Sequence, residues 1–386
     1  MKKRAKRWRI RVGSVAALSL MLCGFLTLYG RAEGKNPYAE QWQASGAQEW
    51  VESLPESTKE LLDMLGITPS DLSSITALQP EKAAEGLLTV AQEKKRVPLS
   101  VTGTLLATIL LCSLLDGLRK LPGSAVLSDT YKTVGVLAVC GVVLLPLCTC
   151  IQAACEAATS AFVLMGSFAP LYAAVLTAAG DPTAALSFQT VVLFCAQCMS
   201  GFLSGAAAPL LTVSLGIGTA GSLDDTFPLC GVSRFINRLC TWALGLFCTV
   251  FVGLLSLQTL VGTRADGVAI RAVRFSLANL VPVVGNAVSE AFGTVQNCLL
   301  VLKTTLGGLG VIVTGTMLLP PLIECGWWAL LLSLCSAVSE ALSFSALTGL
   351  LRLCADVVKT LVGLLVCCGL FLIIAITVVT LAAQPR

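Results

Sequence analysis

The sequence predicts an all-α fold: a polytopic integral membrane helix bundle with an N-terminal signal sequence and a short exported helical segment. Three observations predict it. Only 12% of the 386 residues are charged, against about 25% in a soluble domain whose surface must be wetted. Hydrophobic residues make up 55% of the chain, and its mean hydropathy is +0.84. The few charges are also unevenly placed. Val97 to Arg386 holds 12 basic and 11 acidic residues in 290, separated by long apolar stretches of membrane-span character.

The first element is residues 1–32. Met1 to Arg11 reads MKKRAKRWRIR, an apolar run extends from Val12 to Leu28, and Ala32 offers a small residue for cleavage. A basic n-region leading into an apolar h-region is a secretory signal pattern, and the run is also long enough for an uncleaved anchor. In either case the basic end stays cytoplasmic and the chain beyond the apolar run is exported. These 32 residues hold eight basic and no acidic groups, and the rest of the chain balances at −4. The net charge of +4 therefore belongs to the targeting segment and implies no nucleic-acid partner.

The second element is the polar segment 33–96, with 11 acidic and 6 basic residues. Leu61, Leu62 and Leu65 give an apolar stripe at helical spacing, and Gly66 suits a helix end. Thr68-Pro69-Ser70-Asp71 reads as a helix start, with Thr68 as N-cap and Pro69 at the first helical position.

The third element, 97–386, is the multi-span membrane domain. Spans are expected at 97–115, 134–155 (with Pro146), 157–179 (with Pro170), 239–262, 306–323, 326–347 and 357–383. The uncharged stretch 184–222 is long enough for two, broken near Gly205 or Pro209, giving eight or nine in all. Gly201 and Gly205 form a G-x-x-x-G, and Gly307, Gly308 and Gly310 a similar cluster, both suited to close helix approach. Trp327 and Trp328 beside Glu324 read as an interfacial anchor. The arginines at 234 and 238 and those at 264, 271 and 274 flank one span and cannot all be cytoplasmic. Either the charge rule fails at one group or a re-entrant segment intervenes.

Residues 264–310 are too polar for a lipid-facing span and too apolar for a loop. Pro282 and Gly285 bound a candidate structural break. Beyond it Asn286, Glu290, Gly293 and Asn297 recur at spacings of 4, 3 and 4, a polar-small stripe on one helical face opposite Val288, Phe292, Val295 and Leu299. Ionisable groups at membrane depth usually face a bundle interior or a cavity. Asn286, Glu290, Asn297 and Lys303 are therefore the candidate residues lining a pathway or an interface, in an amphipathic or re-entrant element at about 264–303. An interfacial helix lying flat, with Arg271 and Arg274 meeting phosphates, fits the same pattern.

Enzymatic chemistry finds little footing. The chain contains no histidine, which removes His triads, His metal sites and His proton relays. It has no G-x-x-x-x-G-K-[ST], so any energy input must come from a partner or an ion gradient. Asp116 and Asp356 lie near span ends, not facing one another as an intramembrane aspartyl protease needs. The 17 cysteines sit mainly in apolar runs and read as small packing residues, Cys195-Ala-Gln-Cys198 included. No catalytic, cofactor-binding or metal-binding residue is assigned.

The run Asp266, Gly267 to Arg271, then Pro282-Val-Val-Gly285, then Leu302-Lys303 and Gly307 to Gly310 resembles the stage III sporulation protein AE family of spore-forming Firmicutes. That family's pattern is roughly D-G-[IV]-x-[IV]-R, P-V-V-G and L-K-x-x-x-G-x-x-G at matching distances. Asp266, Gly267 and Arg271 are the family-motif residues. The resemblance implies a non-enzymatic component of a multiprotein transport channel between mother cell and forespore, needed for endospore formation after engulfment. It also implies the mother-cell-derived membrane around the forespore as location. The implied partners are the lipid bilayer, other membrane proteins of the same apparatus and a separate ATPase. No cofactor and no catalytic residue is implied. A stand-alone secondary transporter is the alternative; it predicts an internal repeat, and Asp266 to Lys303 has no second copy.

Overall fold

The computed structural model describes Trp42 and residues 45–69, 80–118, 125–179, 182–223, 231–254, 285–342 and 344–382. Those residues are helices, turns and short connections, with no strand among them, as the composition requires. The chain divides into two compact units at Gly86–Leu87.

The first unit carries α1 (Ala47–Glu52), α2 (Glu56–Met64) and the start of α3 (Pro80–Lys94). Trp42, Trp50, Leu54, Leu61, Leu62 and Ile67 form its buried core. Gly66 ends α2 as expected. Its φ of 69° is left-handed, its N–H donates to the Asp63 carbonyl (2.9 Å) and that of Ile67 to Leu62 (3.0 Å). This pair of bonds is the Schellman closure, which only a residue tolerant of positive φ allows cheaply. The helix start expected at Thr68 falls in non-helical backbone at Thr68 and Pro69, and Ser70 to Gln79 lie outside the described residues.

The second unit holds the apolar helices: α4 (Arg96–Leu118), α5 (Ala125–Ala178), α6 (Pro182–Phe202), α7 (Ala208–Leu223), α8 (Gly231–Leu254), α9 (Gly285–Ala341) and α10 (Ser345–Ala382). Six helical stretches among the described residues are long and apolar enough to cross a membrane, where the sequence suggested eight or nine spans. The difference has one cause. Val134–Cys155 and Ala157–Ala179 are one helix with Pro146 and Pro170 inside it, and the stretches on either side of Glu324 are also one helix. A single charge on a helix surface breaks no backbone hydrogen bond, so it does not force a turn. The uncharged stretch at 184–222 is likewise helical throughout, α6 passing into α7 through a π-helical turn at Leu203–Ala207 that contains Gly205. Such a turn inserts one residue into the helix without reversing it.

Named contacts fix the register, with α9 as the ruler. Antiparallel α5 meets α9 at Cys150–Cys325 (Sγ to Sγ 3.6 Å) and again where Phe168 packs on Gly310. Antiparallel α10 meets it at Ser339–Thr348, Leu318–Gly369 and Gly310–Ile376. At the turn between them Ser339 donates to the Phe344 carbonyl, and Arg352 pairs with Glu340. α6 runs back along α5, with Phe188 edge-on to Tyr172 at 5.4 Å. α7 places Gly218 against Leu353, and α8 crosses to α10 at Phe251–Phe371, stacked at 3.8 Å. α4 lies beside α5, Cys112 against Gly135.

Close approach is localised. Gly201 and Gly205 of the G-x-x-x-G have nothing within 4 Å of an added Cβ, so this motif is not a packing seam within the chain. Gly310 is one: a Cβ there would lie 3.1 Å from Phe168 Cζ and 3.2 Å from Ile376 Cδ1, at the crossing of three helices. Gly310→Leu is therefore expected to cost about 1–3 kcal/mol by overpacking. The detergent-solubilised protein should melt several degrees lower, whereas Gly201→Leu should leave the midpoint in place. Equal midpoints for the two variants would refute the assigned crossing.

Candidate functional site

The sequence-selected residues gather at the start of α9. Gly285 is its first residue, and Asn286, Glu290, Gly293 and Asn297 occupy its first four turns. Helical backbone from 285 onward places these four on one face at the expected spacing. Asp266, Gly267, Arg271 and Pro282 lie outside the described residues. Lys303 stands apart from the stripe. At about 100° per residue it falls about 100° round the helix from Asn286. It is fully buried between Leu302 (2% exposed) and the wholly buried Leu306. Its four-carbon stem suits an apolar surround.

Other polar features were not legible in the sequence. Ser214 of α7 and Ser233 of α8, both fully buried, join hydroxyls at 2.8 Å, and Asn237 Oδ1 lies 3.0 Å from the Ser214 oxygen. Isolated serines and an asparagine in apolar helices carry no spacing signal; only the α7–α8 contact brings them together. Most other hydroxyls return to their own helix, as Thr314 does to the Gly310 carbonyl (2.8 Å) and Thr377 to Ile373 (2.7 Å).

Glu324, midway along the apolar part of α9, pairs with Lys94 at 3.4 Å, and the Trp327 indole N–H donates to the Ala91 carbonyl at 3.2 Å. Trp328 is 1% exposed. The tryptophan pair therefore packs into protein, one ring buried and the other tied to α3, and not outward as a lipid anchor. Cysteine thiols meet across helices twice, at Cys150–Cys325 and at Cys248–Cys367 (3.4 Å). Among the described residues no group of three or more His, Cys, Asp or Glu is placed to hold a metal ion.

The model of the family "Stage III sporulation protein AE" matches residues 70–383. A curated relative, the stage III sporulation protein AE of Bacillus subtilis (strain 168), is 25% identical over 362 residues, covering 88% of this chain and 90% of its own length. No solved structure matches. The family match takes in the whole of the helical membrane unit and the start of α9 within it, and the chain therefore belongs to the stage III sporulation protein AE family.

Proposed function

We propose that this protein is a non-enzymatic membrane component of a multiprotein transport channel between mother cell and forespore, acting in endospore formation after engulfment. Its family membership over residues 70–383 carries the reading. Two features of the chain support it. Six apolar helices suit it to a bilayer, and the sequence has no P-loop, which fits energy supplied by a separate ATPase. Its partners are then that ATPase and other membrane proteins of the same apparatus, in the mother-cell-derived membrane around the forespore. Within this role, Asn286, Glu290 and Asn297 line an interface or pathway beyond the break at Pro282 and Gly285. Lys303 anchors the helix that carries them, and Asp266, Gly267 and Arg271 form the adjoining family motif.

Deleting the gene in its host and following development by microscopy tests the proposal. Normal vegetative growth with arrest after engulfment, rescued by the wild-type gene, is the expected result. Unimpaired sporulation, or a host that makes no spores, overturns it and leaves the stand-alone transporter, which would move substrate alone in proteoliposomes.

A further inference from the structure

The helices are too long for one membrane. Val134–Ala178, Pro182–Ser222 and Val301–Ala341 contain 45, 41 and 41 residues, or about 60–68 Å at 1.5 Å per residue. A bilayer's hydrocarbon core is about 30 Å thick and takes about 20 residues. It therefore covers roughly half of each helix, and the position of the charges decides which half.

From the register of the contacts we infer that the acyl chains cover the layer between the levels of Lys303 and Glu324 on α9, and that the other half of the unit stands outside the hydrocarbon. The 21 residues from 303 to 324 span about 32 Å, one hydrocarbon thickness. Inside this layer lie α5 from about residue 152, α6, α9 from 304 to 323, and α10 from about 363, with the last turns of α8. Glu156, exposed about a turn from the border, is the one Asp, Glu, Lys or Arg in these stretches. Their outward residues are apolar: Val163, Leu186, Phe194 and Val250 are all more than half exposed.

Charge begins where the layer ends. Lys94 pairs with Glu324. On α10, Lys359 and Asp356 lie halfway between the Gly369–Leu318 and Thr348–Ser339 contacts, about one to two turns beyond Glu324. Arg234 and Arg238 are exposed on α8 beside the Ser214–Ser233 contact, at the same depth. Arg352 and Glu340 lie deeper still. A bilayer centred on this half would hold exposed ionised groups in its core, where they are costly and rarely face lipid. The opposite flank of this half, on α4 and the start of α5, carries exposed Leu110, Leu114 and Leu145. Acyl chains cannot reach them without also enclosing Asp356, Lys359, Arg234 and Arg238, so they stand outside the hydrocarbon. The inference rests on the membrane character of the helices and not on the transport reading, so either can fail alone.

The full-length protein is reconstituted into phosphatidylethanolamine–phosphatidylglycerol nanodiscs doped with a phospholipid bearing a diazirine in its acyl chain. After irradiation, adducts are mapped by peptide mass spectrometry. Adducts are expected on the peptides carrying Val163, Leu186 and Phe194, and none on those carrying Leu110, Leu114 or Leu145. Adducts on α4 at a yield comparable with α6, or on α4 alone, overturn the assignment. A second measurement is independent of labelling chemistry. Leu186→Glu and Phe194→Glu are expected to lower accumulation in carbonate-washed membranes at least tenfold, and Leu110→Glu and Leu145→Glu less than twofold. The reverse order, or equal losses, overturns it.

Discussion

Lys303→Glu is expected to remove most of the folded protein from the membrane, with Lys303→Met losing far less. Lys303 has no exposed surface, and Leu302, Thr305 and Leu306 beside it are buried too. Methionine keeps the length and most of the apolar contact of the lysine stem and removes only the ammonium. Glutamate reverses the charge in a space closed to water. A charge left buried without its proper partner costs about 3–5 kcal/mol. That lowers the folding equilibrium constant by roughly a hundredfold or more. Membrane accumulation of the full-length chain and its melting point in mild detergent are the measurements. A glutamate variant that accumulates and melts like the wild type would show that Lys303 is not enclosed as described. The methionine variant separates packing from function: if it folds but spore yield collapses, the ammonium itself is used in the apparatus.

Oxidising the protein in native membranes with iodine, which partitions into lipid, is expected to link two pairs of helices at defined positions. Cys150 and Cys325 approach to 3.6 Å and Cys248 and Cys367 to 3.4 Å. A disulfide needs about 2.05 Å, so each sulfur must move by less than about 1 Å. Two thiols give up two electrons and two protons to each I2, which leaves as iodide. Digestion and mass spectrometry should then find the 150–325 and 248–367 linked peptides as the main products. Cys325→Ser should abolish the first and spare the second. Dominant linkage between any other cysteines would show that the register of α5 on α9, or of α8 on α10, is wrong. The experiment matters because the placement of every charge relative to the layer depends on that register.

The polar-small stripe at 286–297 was readable from spacing because helical periodicity is a local property, and the backbone is indeed helical there. What that stripe faces is not local. The same holds for the two tryptophans: aromatic rings beside a charge read as an anchor, yet Trp328 is buried and Trp327 binds the Ala91 carbonyl. Sequence spacing gives the face of a helix on which a residue lies, and only the neighbouring element decides whether that face meets lipid or protein.

By itself the sequence determined that this chain is helical and that it enters membranes. These conclusions come from composition, from the energetic demand that backbone polar groups in lipid be satisfied within helices, and from residue spacing. The tertiary structure alone decided that Val134–Ala178 and Val301–Ala341 are each one helix, and that Glu324 meets Lys94. It also brought Ser214 to Ser233 and Cys150 to Cys325. The physical reason is that hydropathy measures how a segment partitions into lipid, whereas chain reversal and side-chain pairing depend on contacts between residues far apart in the chain.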